Sequence, residues 1–109
     1  MHLQVDGLVS RVLTKDEAYE AIHSLVTLAH MTPVGDFVYR DTHLGPSGYQ
    51  LLMESHACFD YINDYLCVDL FSCNPFDRDI AADFIKSYFL ITSVMRDEVI
   101  ERGFHPTIQ

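Results

Sequence analysis

The period of the apolar residues switches back and forth along this chain, and that restricts it to a mixed α/β architecture. The opening HLQVDGLVSR alternates loosely, as a strand over His2–Val9 would. From Thr14 onward the apolar residues fall on one helical stripe instead: Ala18, Ile22, Leu25, Val26 and Ala29. Thr14 and Glu17 have the spacing of a capping box, and Pro33 lies just past an expected helix end near His30.

Extended segments then return. VGDFVYRD is a short strand candidate, and THLGPSG, with Gly45, Pro46 and Gly48, reads as a turn. YQLLMES, nearly all apolar, is expected to be a central strand. ACFDYIND is expected to be another, turning at Asn63-Asp64, followed by YLCVDLFSC. NPFDRDIAADFIKSYF opens on two cap candidates, Asn74 (with Pro75 at the first helical position) and Asp77. Its residues Ile80, Ala81, Phe84 and Tyr88 have helical spacing. LITSVMRDEVIERG is a last strand, ending at Arg102-Gly103. Two helices and five or six strands predict a two-layer α/β sandwich, one largely antiparallel sheet packed against both helices. Many strand positions are apolar on both faces, so the outer face needs a cover. A second copy of the chain, forming a homodimer, is the expected one.

The length of 109 residues is enough for one domain with one modest core, so residues 1–109 are read as a single unit. A hydrophobic content of 49% argues against disorder. No apolar run approaches the ~18 residues of a membrane span, and the N-terminal MHLQVDG lacks the features of a signal peptide. Cys58, Cys67 and Cys73 cannot all pair with one another. Without an export signal they read as reduced thiols of a cytoplasmic protein. The formal charge of −9, from 16 acids against 7 Lys plus Arg, disfavours a surface that tracks phosphates, so no nucleic-acid partner is expected. The same charge suits a small cationic ligand.

Familiar cofactor signatures are missing: there is no phosphate loop and no dinucleotide glycine fingerprint. Cys67 and Cys73 share parity, which would place them on one strand face, but the close-paired ligand spacing of structural zinc is lacking, so no metal is expected. Ser55, His56 and Asp60 could be named as a triad. Neighbours in an extended strand point to opposite faces, however, which argues against Ser55 and His56 working together.

One stretch carries a resemblance. SGYQLLMESHACFD followed by VDLFSC resembles the small bacterial and archaeal S-adenosylmethionine decarboxylases. The matching marks are Ser47-Gly48, the apolar strand, Glu54-Ser55-His56, and Val68 to Cys73. HLQVDG and Glu101-Arg102-Gly103 resemble the first and last strands of that family. The resemblance implies self-cleavage between Glu54 and Ser55 through an ester, leaving a pyruvoyl group made from Ser55. Such a ketone condenses with a substrate amine and takes up the electrons released as carbon dioxide leaves, which a serine hydroxyl cannot do. It further implies that Ser47 assists processing, and the even, eight-residue separation across the intervening strand, residues 48–54, would keep Ser47 and Ser55 on one sheet face if no bulge intervenes. Cys73 is the implied proton donor to the decarboxylated carbon. Glu54 becomes the new chain end and helps bind the cationic substrate. His56 is expected to give local support, and the resemblance implies a homodimer.

The chain also departs from the family pattern. Five residues after Ser55, where the family has a histidine that serves as a processing base, stands Asp60, and there is no tryptophan anywhere. Asp64 stands where the family often has glutamate, matching a substrate-binding position. THLGPSG replaces a spaced aromatic, proline and glycine pattern that helps hold adenosylmethionine. The resemblance thus implies a pyruvoyl-dependent decarboxylase of adenosylmethionine that feeds spermidine synthesis. Two other classes stay open: an arginine or ornithine decarboxylase using the same chemistry, and an unprocessed, non-catalytic homologue that binds adenosylmethionine or regulates a decarboxylase partner.

Overall fold

The computed structural model describes residues 1–101. Six strands and two helices follow in the order β1 (His2–Val9), α1 (Lys15–Leu28), β2 (Val38–Thr42), β3 (Gly45–Leu51), β4 (Ser55–Ile62), β5 (Tyr65–Ser72), α2 (Arg78–Tyr88) and β6 (Ile91–Ile100). They form one sheet of order β2-β3-β4-β5-β1-β6, with every neighbouring pair antiparallel. Both helices pack on one face of it, α1 against β4 and α2 against β1 and β6. The two-layer α/β sandwich expected from the period changes is the fold that forms.

Strand parity decides what enters the core. Leu3 and Val5 of β1, Ala57, Phe59 and Tyr61 of β4, and Leu66, Val68 and Leu70 of β5 face the helices and are buried. They meet the predicted α1 stripe, Ala18, Ile22, Leu25, Val26 and Ala29, all buried. The Thr14–Glu17 capping box forms in both directions, and Tyr61 Oη accepts the Leu13 N–H at 3.2 Å, tying the helix entry to β4. In α2 the cap is Asp77, and the buried residues are Ala81, Ala82 and Ile85. Ile80, expected on the inner stripe, lies outward at 51% exposure, because the face that turns inward is that of Ala81, Ala82, Ile85 and Phe89, and helical spacing puts Ile80 on the opposite side.

Four local expectations change. The turn read over residues 42–48 contracts to His43-Leu44, closed by Thr42 Oγ1 donating to the Gly45 carbonyl at 2.6 Å. Gly48 is therefore a strand residue. A Cβ there would lie 2.6 Å from the Phe59 ring, so the glycine admits an aromatic neighbour rather than a bend. The strand read over residues 49–55 stops at Leu51, and Leu52-Met53-Glu54 form a hairpin connection into β4. Ser47 and Ser55 consequently stand on different, adjacent strands, not on one. Finally, β5 ends at Ser72, which leaves Cys73 in the following loop and not on a strand face shared with Cys67. The expected ending at Arg102-Gly103 lies outside the described residues.

The edge strand β6 is fastened to α2 by Asp97, which accepts from Arg78 at 2.7 Å and pairs with Lys86. Burial pushes the Asp97 carboxyl up, but the hydrogen bonds and charges of Lys86 and Arg78 outweigh it and hold the group below its ordinary value. A depressed carboxyl adds stability above its unfolded-state pKa, about 3.9, and loses it as pH falls through the folded value. Urea unfolding at about pH 6 and about pH 3 checks this. The parent chain is expected to lose more stability over that interval than an Asp97→Asn variant.

Candidate functional site

The outward sheet face is polar through its middle. The register aligns Arg40, Ser47, Asp60, Cys67, Asp6 and Arg96 in one row across all six strands. Ser47 Oγ donates to Asp60 Oδ1 at 2.6 Å. Beside this pair lies a cavity of about 300 Å³, with Val38, Arg40, Tyr49 and Cys58 among its lining. One row along, His2 Nε2 meets Asp69 Oδ1 at 2.9 Å, and Cys58 Sγ points at Asp69 Oδ2 at 3.8 Å. Burial, then the charge of Asp69, pushes the Cys58 thiol up to about 12, and burial with Asp6 pushes Cys67 up to about 11. Both are thiols at neutral pH, not nucleophiles.

A second cluster gathers at the end of the sheet. The Glu54–Ser55 peptide bond joins the hairpin turn to the first residue of β4. The segment after α1 braces that turn: Met53 N–H donates to the Thr32 carbonyl at 2.9 Å, and Thr32 N–H donates to Glu54 Oε1 at 3.0 Å. On the other side, β5 pairs Ser72 with Ser55. Ser72 is fully buried, and its Oγ accepts the Asn74 N–H at 3.0 Å, turning the chain as it leaves the strand. The Cys73 N–H then donates to the Glu54 carbonyl oxygen at 3.2 Å. A donor on that oxygen stabilises the negative charge that develops when the carbonyl carbon is attacked. The Cys73 side chain is exposed beside it.

Strand alternation was expected to separate Ser55 from His56, yet Ser55 Oγ lies 3.3 Å from His56 Nδ1. Ser55 opens the strand, so its hydroxyl is free to swing along the chain toward the neighbouring ring. The structure thus brings Glu54, Ser55, His56 and Cys73 together. Ser47 and Asp60 form a separate pair: Asp60 is five residues along β4 from Ser55, roughly 17 Å at strand rise. Asp64 is farther still, in the turn at the opposite end of β4. Sequence reading passed over Ser72 and Thr32. Ser72 carried a signal, a hydroxyl on the parity that is otherwise Leu66, Val68 and Leu70. Thr32 carried none, because it acts through its backbone. Among the described residues, no group of three or more metal-ligating side chains converges, and no helix is long and apolar enough to cross a membrane.

Comparisons with known proteins identify the family and the fold. A family model described as S-adenosylmethionine decarboxylase matches residues 2–103. The S-adenosylmethionine decarboxylase proenzyme of Picrophilus torridus is 29% identical over 100 residues, covering 86% of this chain and 77% of that protein. The crystal structure of the adenosylmethionine decarboxylase from Aquifex aeolicus VF5 superposes with a TM-score of 0.69 at 17% identity, over 95% of this chain and 94% of that one. It has the same fold. With decarboxylase-type chemistry supported in general by the match, the chain belongs to the S-adenosylmethionine decarboxylase family.

Proposed function

We propose that the chain is a proenzyme that cleaves itself between Glu54 and Ser55, and that the pyruvoyl group so formed decarboxylates S-adenosylmethionine. The observation that carries this reading is the Cys73 N–H on the Glu54 carbonyl oxygen, 3.2 Å away, at the one peptide bond where cleavage is required. Attack by Ser55 Oγ on that carbonyl closes a five-membered ring, and the Cys73 N–H holds the oxyanion. Collapse with loss of the Ser55 nitrogen gives an ester. Removal of the Ser55 Cα proton then expels the Glu54 carboxylate, and water converts the remaining enamine to a ketone with loss of ammonia.

The residues present fit a group made from Ser55, since that position heads β4 beside the Cys73 loop. A pyruvoyl carbonyl supplies an electron sink once it has condensed with a substrate amine. The chain's other residues bind and move protons. Cys73 Sγ, exposed next to position 55, carries the proton delivered to the substrate carbon. The Glu54 carboxylate, held by Thr32 in the precursor, faces the cationic substrate after cleavage.

Ser47 and Asp60 are too far from Ser55 of their own chain to act on it. In a homodimer joined through the open sheet face they serve the partner's site, with Asp64. Coexpressing a Ser47→Ala chain with a Ser55→Ala chain tests this. Alone, the first is expected to cleave about 10²-fold more slowly than the parent, and the second not at all. In mixed dimers the Ser47→Ala chain regains cleavage, because its partner supplies Ser47. No regain would place Ser47 outside any shared site.

Asp60, standing where the family has a histidine, favours a second reading: a homologue that binds adenosylmethionine without processing. Intact mass together with equilibrium binding separates the two. Cleavage with release of carbon dioxide supports the first; one uncleaved mass with retained binding supports the second.

A further inference from the structure

The Ser55 hydroxyl must give up a proton as it attacks, and its partners in this chain are few. Glu54 Oε1 is held by the Thr32 N–H, and Asp60 is roughly 17 Å along β4. Ser72 Oγ is occupied by the Asn74 N–H. His56 Nδ1, 3.3 Å from Ser55 Oγ, is the one ring nitrogen in contact with the hydroxyl among the described residues.

The imidazole is held in place. Its ring stacks on Phe71, with centroids 5.6 Å apart and planes 10° from parallel. Phe71 in turn takes the edge of His2 at 5.5 Å and 77°, and His2 is anchored on Asp69. A base positioned through aromatic stacking keeps Nδ1 toward Ser55 without spending a hydrogen bond of that nitrogen on orientation.

We infer that His56 is the general base of the acyl shift, a catalytic residue for self-processing distinct from the Ser47–Asp60 pair. The inference rests on the self-cleavage reading above. Nδ1 takes the Ser55 Oγ proton as the Oγ–C bond to Glu54 forms. The same proton goes to the Ser55 nitrogen as the C–N bond breaks. The net change is an isomerisation of amide to ester, with no co-reactant. The ring must carry its own proton on Nε2 at the start, on the open side of the sheet.

Hydroxylamine, which cuts esters, reads the acyl shift separately from the later elimination. Purified precursors of the parent, His56→Phe and His56→Ala are incubated with it, and fragments are timed by mass. His56→Phe keeps a ring to stack on Phe71 and has no nitrogen. It is expected to slow hydroxylamine-dependent cleavage about 10²- to 10⁴-fold. His56→Ala is expected to be equally slow and to recover in part when imidazole is added, which a purely structural role would not allow. Parent-like cleavage in His56→Phe overturns the assignment of His56 alone. A parent chain that yields neither fragments nor a hydroxylamine-sensitive bond overturns the self-cleavage reading and this inference with it.

Discussion

Replacing Ser55 with alanine is expected to leave a single uncleaved chain and no decarboxylation of adenosylmethionine. Two losses combine in that one substitution. The nucleophile for the acyl shift is gone, so the Glu54–Ser55 bond stays an amide. Alanine carries no oxygen on Cβ, so no ester leaving group forms there, no elimination can follow, and Cα cannot become the ketone that serves as the electron sink. Effects of removing a covalent group reach about 10⁶-fold, and here both processing and turnover fall below detection. Folding is not at stake: Ser55 is only partly buried at the strand end, and its Oγ meets the His56 ring, a contact whose loss leaves the core intact. Mass spectrometry for cleavage and carbon dioxide release for turnover check both halves. Cleavage at the same place in Ser55→Ala would contradict the account.

The second large effect concerns stability. Phe59→Ala is expected to destabilise the domain by about 3–5 kcal/mol, read by urea unfolding. Phe59 is fully buried, and its ring touches Phe37, Tyr61 and Phe89, with centroids 6.3, 5.8 and 6.0 Å away. It therefore links β4 to its own neighbour, to the segment before β2 and to the end of α2. Gly48 leaves no side chain to close the gap from β3. A domain of this size has a total stability of roughly 5–15 kcal/mol, so the variant retains a small margin at best. A loss below about 1 kcal/mol would mean the core collapses into the vacancy far more completely than close packing permits.

How much of this could be read from residues alone varies by element. The first helix was legible in full, because Thr14, Glu17 and the Ala18–Ala29 stripe are local signals that agree. The turn at Asn63-Asp64 was legible too, and Asn63 takes φ 57° there. The hairpin at residues 52–54 was not. Leu51, Leu52 and Met53 form an apolar run, yet Leu51 and Met53 are 52% and 74% exposed. Hydrophobicity reports burial only on average, and this turn is anchored by backbone bonds to Thr32 that no pattern reveals. The opposite error came from Gly45, Pro46 and Gly48, whose turn chemistry sits inside a strand. Missing the hairpin at residues 52–54 put Ser47 and Ser55 on a common strand.

The consequence for the site is specific. Sequence resemblance named Glu54, Ser55 and Cys73, and the fold brings them together through the Ser55–Ser72 pairing. It also named Ser47, Asp60 and Asp64, and no spacing along the chain could tell that they stand at a distance. Period-two parity gives a side chain's face but not its strand. Conversely, parity dismissed His56 as a partner for Ser55, and the freedom of a first strand residue restored it.

The most direct test of the central claim is the intact mass of the purified chain after long incubation at neutral pH, with a carbonyl-specific reagent added at the end. Two fragments, residues 1–54 and 55–109, with the reagent on the first residue of the second, are the predicted result. A single mass for all 109 residues that takes up no reagent would contradict self-processing. It would leave a decarboxylase fold whose work is binding.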